Sequence, residues 1–236
     1  MEHREGTSLV LLHGALGSAE QLAPVADGLA NYFDVHVVDL PGHGEAPLLD
    51  QPFSLTAFVT SVKNYLEQQQ IRQPWIFGHS MGGFVGLLLA LEQDCPLSGV
   101  ITLGTKLGWT PEVASSEVSR LDPEKIEEKV PAFARALEQR HRALDWKVLL
   151  QHTRTLTLGL GDQTPLSMER LAEIHVPVFF GVAERDHLVP YEEAQRVVGH
   201  LPQGELWTMP GAHPLESVEV EPLTLQLRKL IGETGI

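Results

Sequence analysis

Short apolar runs alternate along the chain with longer stretches in which apolar residues recur at helical spacing. Runs that are nearly continuous in valine, leucine, isoleucine or phenylalanine are typical of strands buried on both faces of a parallel sheet. Six such runs predict strands at 8–13, 34–40, 74–79, 99–104, 176–182 and 205–209. The alternation of strand and helix predicts an α/β fold with a doubly wound, mostly parallel sheet of about six strands.

Two of the intervening segments have clear helical patterns. Between 55 and 66 the apolar residues fall on one face of a helix, whereas the segment 81–92 is apolar nearly all round. A helix that is apolar all round is buried, so the second segment predicts the most buried helix of the domain.

The segment between the fourth and fifth predicted strands breaks this rhythm. It has no strong strand pattern and predicts helices at 111–121, 123–139, 145–158 and 165–174. Connections in α/β units are usually a few residues and one helix, and longer ones are often functional. We therefore predict one domain, 1–236, with a helical cap inserted at about 107–172. The alternative is a helical surface excursion with no role in binding.

Composition and charge narrow the possible functions. The chain has 236 residues, a net charge of −14 and the single cysteine Cys95. This excludes a disulfide framework and a cysteine-based metal cluster, and the acidic balance argues against nucleic-acid binding. No apolar run is long enough for membrane insertion, and the short charged start 1–7 does not resemble a signal peptide. We predict a cytoplasmic protein.

The sharpest motif is Gly78-His79-Ser80-Met81-Gly82, a G-x-S-x-G between a predicted strand and a predicted helix. In that context the serine sits on a strained turn that exposes its hydroxyl at the carboxyl edge of the sheet. Glycines on both sides leave room for so tight a turn. The motif predicts Ser80 as a nucleophile.

Two glycine-containing loops follow the first two predicted strands. The first, His13-Gly14-Ala15-Leu16-Gly17, can aim a backbone N–H at the same point as that of Met81 and complete an oxyanion hole. The alternative is a plain turn in which Ser18 caps the next helix. The second, 39–44, reads D-L-P-G-H-G, and its proline and glycines mark a tight turn. We interpret Asp39, His43 and His13 as structural.

The motifs H-G-x-x-G, D-x-P-G-x-G and G-H-S-M-G-G, in this order, resemble the α/β-hydrolase superfamily, in particular its small capped branch of esterases and C–C bond hydrolases. The resemblance covers nearly the whole chain. It implies a nucleophile–acid–histidine order, with Ala15 and Met81 as oxyanion donors. Many members carry an antiparallel hairpin before the first motif strand, which here begins near residue 8, so a smaller sheet is expected.

The same resemblance implies the other two members of a catalytic triad. Asp186 stands where the family places the acid, with Glu184 as a competitor. His213 follows the last predicted strand, whereas His200 precedes it and is a poor rival. The other histidines are interpreted as surface or turn residues.

The function implied is a serine hydrolase, most simply a carboxylesterase acting on small to medium esters, without cofactor or metal. C–C bond hydrolases, lactonases, thioesterases and slow-turnover small-molecule receptors share the same residues and stay as alternatives. Candidate substrate contacts are Leu16, Trp109 and Trp146, although each could equally be packing. Lys106 is expected either to touch substrate or to be solvated.

Overall fold

The computed structural model describes residues 6–233 of the chain. Within this part, six strands form one sheet. The strands are β1 (Ser8–Leu12), β2 (Asp34–Val38), β3 (Trp75–His79), β4 (Gly99–Leu103), β5 (Val178–Ala183) and β6 (Gly204–Met209). Every neighbouring pair of strands is parallel, in the order β2-β1-β3-β4-β5-β6. This confirms the predicted α/β class and doubly wound topology.

The prediction of no signal peptide concerns residues 1–7, of which 1–5 lie outside the described part. Within 6–233, no helix has both the length and the apolar character that crossing a bilayer requires.

The helices cover both faces of the sheet. Side chains alternate along β1: Leu9 and Leu11 belong to the hydrophobic cluster on one face of the sheet, whereas Val10 and Leu12 belong to the cluster on the other face. This two-sided burial explains why the strands are continuously apolar. The helices are α1 (Ala19–Leu29), α2 (Leu55–Gln68), α3 (Met81–Leu89), α4 (Pro111–Val118), α5 (Pro123–Lys129), α6 (Pro131–Arg140), α7 (Trp146–Asp162), α8 (Tyr191–Val198) and α9 (Val220–Glu233).

Helix α3 lies at the centre of the molecule. Every residue from Gly82 to Leu89 is buried, as the all-round apolar pattern predicted. The helix starts directly at the end of β3, so its N-terminus is fixed at the carboxyl edge of the sheet.

The segment between β4 and β5, residues 104–177, holds α4 to α7 and is called the cap segment below. The single helix predicted over 123–139 is wrong: α5 and α6 are separated at Val130, which has φ −136° and ψ 57°. Pro131 causes the break, because a proline has no N–H to donate and disfavours helical geometry in the preceding residue. The helix predicted over 165–174 is only a 3₁₀ turn, Glu169–Glu173. The predicted cap limits, about 107–172, stay a prediction.

Candidate active site

Ser80 occupies a strained turn between β3 and α3. Its backbone has φ 50° and ψ −114°, in the left-handed half of backbone space that non-glycine residues rarely adopt. The Ser80 N–H donates to the Leu103 carbonyl at 2.8 Å, and the Thr105 hydroxyl donates to the Ser80 carbonyl at 2.9 Å. Bonds on both sides of the residue hold a conformation that would otherwise relax.

The glycines of the motif are needed for close packing around this turn. A Cβ placed on Gly78 would lie 2.2 Å from the Gly83 nitrogen, and one on Gly82 would lie 2.3 Å from the Leu12 carbonyl oxygen. Neither position therefore has room for a side chain. Gly82 thus allows α3 to lie directly against the end of β1, and Gly78 allows the end of β3 to lie directly against the first turn of α3.

The structure brings the three residues predicted as a triad into one hydrogen-bonded chain. His213 Nε2 is 3.1 Å from Ser80 Oγ, and His213 Nδ1 is 2.8 Å from Asp186 Oδ2. The other carboxylate oxygen of Asp186 accepts from the N–H groups of Leu188 and Val189 at 2.8 and 3.0 Å. This order of nucleophile, base and orienting acid is the arrangement that activates a serine hydroxyl.

Electrostatics keep the acid charged. Burial of the Asp186 side chain, which is 0% exposed, raises its pKa, but the hydrogen bond and charge of His213 and the backbone N–H groups of Val189 and Leu188 together lower the pKa below its ordinary value. Asp186 is thus a charged acceptor for the Nδ1–H of His213. The backbone of His213 is held separately, because the His79 Nε2–H donates to the His213 carbonyl at 2.8 Å.

The two rivals for these positions lie elsewhere. The Glu184 side chain is exposed at the end of β5. His200 is exposed after α8 and its Nδ1–H donates to the Arg196 carbonyl at 2.8 Å. Geometry therefore favours Asp186 and His213 over both.

The loop 13–17, called the β1 loop below, lies against Ser80. A Cβ built on Gly14 would come within 3.3 Å of Ser80 Cβ. The His13 ring is buried and bonds both the Leu40 N–H and the Gly14 carbonyl. His13 therefore has the structural role in the turn that the sequence predicts.

The loop after β2 is also structural. Asp39 accepts from the N–H groups of Ala19 and Glu45 at 2.6 and 3.0 Å, which joins the start of α1 to the turn. His43 is fully buried, with its Nδ1–H donating to the Pro41 carbonyl at 3.1 Å. Neither residue reaches the serine hydroxyl.

A cavity of about 390 Å³ opens onto Ser80 and His213. Ala15, Leu16 and Met81 line it beside the serine, and Trp109 lines it from the cap segment. The remaining wall is mostly apolar, with the charged residues Lys106, Glu117, Arg120, Arg140 and Glu216 also present. Its further apolar lining comprises Leu55, Phe84, Leu121, Phe133, Leu156, Leu160, Leu188, Pro214 and Leu215.

Two predicted substrate contacts need correction. Trp146 does not line this cavity: it is 7% exposed and packs with Leu137 and Leu149 in the core of the cap segment, because it starts α7 on the inward face of that helix. Lys106 is not solvated: its ammonium lies 2.8 Å from Glu193, and both side chains are under a tenth exposed. The charge of Lys106 is therefore already paired where the residue reaches the cavity wall.

The expectation that the other histidines are surface or turn residues is wrong for two of them. His79 ends β3 and His141 follows α6, and both are buried. His141 comes directly after α6 and contacts the β1 loop through Leu16. No local pattern indicates this contact, because the partner is a backbone carbonyl 125 residues away in the chain.

Burial of these histidines predicts sensitivity to acid. Burial lowers the pKa values of His13, His79 and His141 from 6.5 to about 4. Between these values the unfolded chain binds protons that the folded protein does not, so the free energy of unfolding falls as pH drops from about 6.5 to about 4. Urea unfolding measured from about pH 7 to about pH 4 checks this. A flat free energy across that range would contradict the prediction.

Known proteins share the sequence pattern and the shape of this chain. Residues 9–220 match the sequence model of the alpha/beta hydrolase family. The chain is 32% identical over 224 residues to a pimeloyl-[acyl-carrier protein] methyl ester esterase of Edwardsiella ictaluri, covering 86% of this chain and 84% of that protein.

Two further matches extend the comparison. The chain is 27% identical over 221 residues to the biotin biosynthesis bifunctional protein BioHC of Cellvibrio japonicus, covering 86% of this chain but only 43% of that longer protein. The solved structure of MenH from S. aureus aligns with a TM-score of 0.79 and 22% identity, over 98% of this chain and 95% of that one. At that identity the likeness shows the fold alone.

Proposed function

Because the chain belongs to the alpha/beta hydrolase family, we propose that it is a serine carboxylesterase that cleaves small to medium carboxylic esters. The observation that carries the proposal is the bonded chain Ser80–His213–Asp186 opening into a mostly apolar cavity. We also propose that it acts in the cytoplasm on a small-molecule ester, with the cap covering the site.

The reaction proceeds in two steps. His213 takes the hydroxyl proton of Ser80 through Nε2 as the serine oxygen attacks the ester carbonyl carbon. The tetrahedral intermediate collapses to an acyl-serine, and His213 returns the proton to the departing alcohol. A water molecule, deprotonated by His213, then attacks the acyl carbon, and His213 returns that proton to the Ser80 oxygen as the acid is released.

Asp186 serves this cycle without itself taking the proton. Its carboxylate accepts from His213 Nδ1–H, which leaves Nε2 free to accept the serine proton. It also stabilises the imidazolium that forms in each step. The paired N–H groups of Leu188 and Val189 hold the carboxylate in this orientation.

The negative charge that develops on the carbonyl oxygen needs donors. The backbone N–H groups of Ala15 and Met81 are the proposed pair, since both residues line the cavity beside Ser80 and Met81 begins α3. Donors that are already in place stabilise the transition state more than the ground state.

The cavity supports a small or medium acyl group. Its volume of about 390 Å³ is within the range of small-molecule sites, about 300–1,000 Å³. Leu16 and Trp109 are proposed as substrate contacts because they lie on its wall. The related protein named as a methyl ester esterase makes methyl esters a necessary part of any substrate panel.

Steady-state hydrolysis of p-nitrophenyl and methyl esters of graded acyl length tests the function. We expect turnover of about 1–10³ per second on a good ester, lost in Ser80→Ala. A fluorophosphonate probe should label the wild-type protein and not the variant. Labelling without turnover would favour a C–C bond hydrolase, a lactonase, a thioesterase or a slow receptor. Equal turnover in Ser80→Ala would contradict the mechanism.

A further inference from the structure

Leu16 belongs to two parts of the molecule at once. Its backbone lies in the β1 loop, and its side chain, 7% exposed, packs in the core of the cap segment with Leu137 and Leu149. Its φ of 58° is in the left-handed region, which a leucine rarely adopts without being held there. Something other than local preference therefore fixes this backbone.

Two cap residues supply that restraint through the Leu16 carbonyl. Arg140 Nη1 donates to it at 2.8 Å, and His141 Nε2 donates to it at 3.1 Å. His141 Nδ1 accepts from the Gly44 N–H at 3.0 Å, so the proton of the neutral ring is on Nε2. The end of α6 is thus bonded directly to the β1 loop.

The Gly14–Ala15 peptide, two peptides before the one that carries the Leu16 carbonyl, is fixed by bonds within the β1 loop. The Gly14 carbonyl accepts from His13 Nδ1–H at 2.8 Å and from the Gly17 N–H at 3.0 Å. In a trans peptide the N–H points opposite to the C=O, so these bonds also set the direction of the Ala15 N–H. A shift of Leu16 would move this peptide with it.

Arg140 also reaches the loop that carries the base. Its Nη2 lies 3.4 Å from Glu216, three residues after His213, and the Gln21 amide donates to the same carboxylate. The Arg140 side chain is 16% exposed, so this is a partly buried contact. One arginine therefore joins the cap segment, the β1 loop and the loop after β6.

We propose that Arg140 and His141 are positioning residues, which hold the β1 loop so that the Ala15 N–H is aimed at the developing oxyanion. Hydrolysis then depends on α6 being seated against the loop, and the cap segment takes part in transition-state stabilisation as well as in lining the cavity. This inference rests on the proposed esterase function.

Arg140→Met is the primary test, measured by kcat, by KM and by inhibition with a trifluoromethyl ketone, whose adduct with Ser80 carries a charged oxygen. We expect kcat to fall about 10²-fold, as small misplacements in active sites do. KM should stay within about twofold, and the inhibition constant should rise by the same factor as kcat falls, because only the charged species needs the donor. His141→Phe is expected to act in the same direction.

Two matched variants make the test specific. Arg140→Lys should recover most of kcat, since an ammonium can still donate to the Leu16 carbonyl. Arg142→Met should match wild type, because Arg142 makes an exposed ion pair with Glu45 at 3.5 Å. Should His141→Phe not fold, Arg140→Met decides the question.

Some results would overturn the inference. The arginine does not position the loop if Arg140→Met keeps kcat within about twofold of wild type per folded molecule, whether or not KM rises. Ser80→Ala, assayed in the same series, separates this from failure of the esterase proposal. Activity that needs Ser80 but ignores Arg140 sinks the positioning role alone, whereas activity that survives Ser80→Ala sinks the esterase mechanism.

Discussion

Asp186→Asn is expected to lower kcat about 10⁴-fold while the protein stays folded. The wild-type carboxylate accepts three hydrogen bonds, from His213 Nδ1–H and from the N–H groups of Leu188 and Val189. An asparagine offers one oxygen and one NH₂ in the same space. If the oxygen keeps the two backbone bonds, the NH₂ faces His213 and forces its proton onto Nε2, where the ring can no longer accept from Ser80.

The measurement is steady-state hydrolysis of the best ester found for the wild-type protein, together with the thermal unfolding midpoint. Glu184→Gln is the matched control, because it makes the same carboxylate-to-amide change two residues earlier on an exposed side chain. It should retain wild-type kcat. Comparable losses in both variants would show that Asp186 does not orient the base.

The strands were predictable to within a residue or two because burial on both faces leaves an unmistakable apolar run. The predicted fifth strand includes Val176 and Pro177, which precede the observed β5, Val178–Ala183. Asp186 and His213 were predictable because the family resemblance implies an acid and a histidine after the last two strands. Both residues, like Ser80, follow strands that end at the same edge of the parallel sheet, which brings the three side chains together.

The cap segment was less predictable, because its helices pack through contacts that have no sequence period. The sequence leaves Trp146 open as a substrate contact or as packing, and only the rotation of α7 decides that it faces the core of the cap segment. Arg140 was missed for a related reason. Its partner is the Leu16 carbonyl, and a backbone acceptor leaves no trace in the side-chain sequence.

The environment of Lys106 was also not predictable from the sequence. Lys106 follows β4 and lies on the cavity wall. The ion-pair partner of Lys106 is Glu193, 87 residues later, which also accepts from the Leu107 and Gly108 N–H groups. A buried lysine must be paired, but sequence does not name the partner.

The second large effect is expected for stability. Gly82→Ala places a methyl group 2.3 Å from the Leu12 carbonyl oxygen and 2.6 Å from that of His13. Both atoms are backbone at the end of β1 and the start of the β1 loop, so no side chain can rotate away to make room. We expect the free energy of unfolding to fall by about 3 kcal/mol or more, because α3 must move off β1.

Gly159→Ala is the matched control for this substitution. Gly159 is exposed in α7, and a Cβ there would meet nothing within 4 Å outside the backbone of its own helix. Alanine should therefore stabilise the protein by up to about 1 kcal/mol through helix preference alone. Urea denaturation of the two variants beside wild type gives opposite shifts of the midpoint if α3 is seated on β1 as described.

A Gly82→Ala protein as stable as wild type would mean that α3 does not approach β1 this closely. The strained serine turn would then lack the support from packing that holds its hydroxyl toward His213.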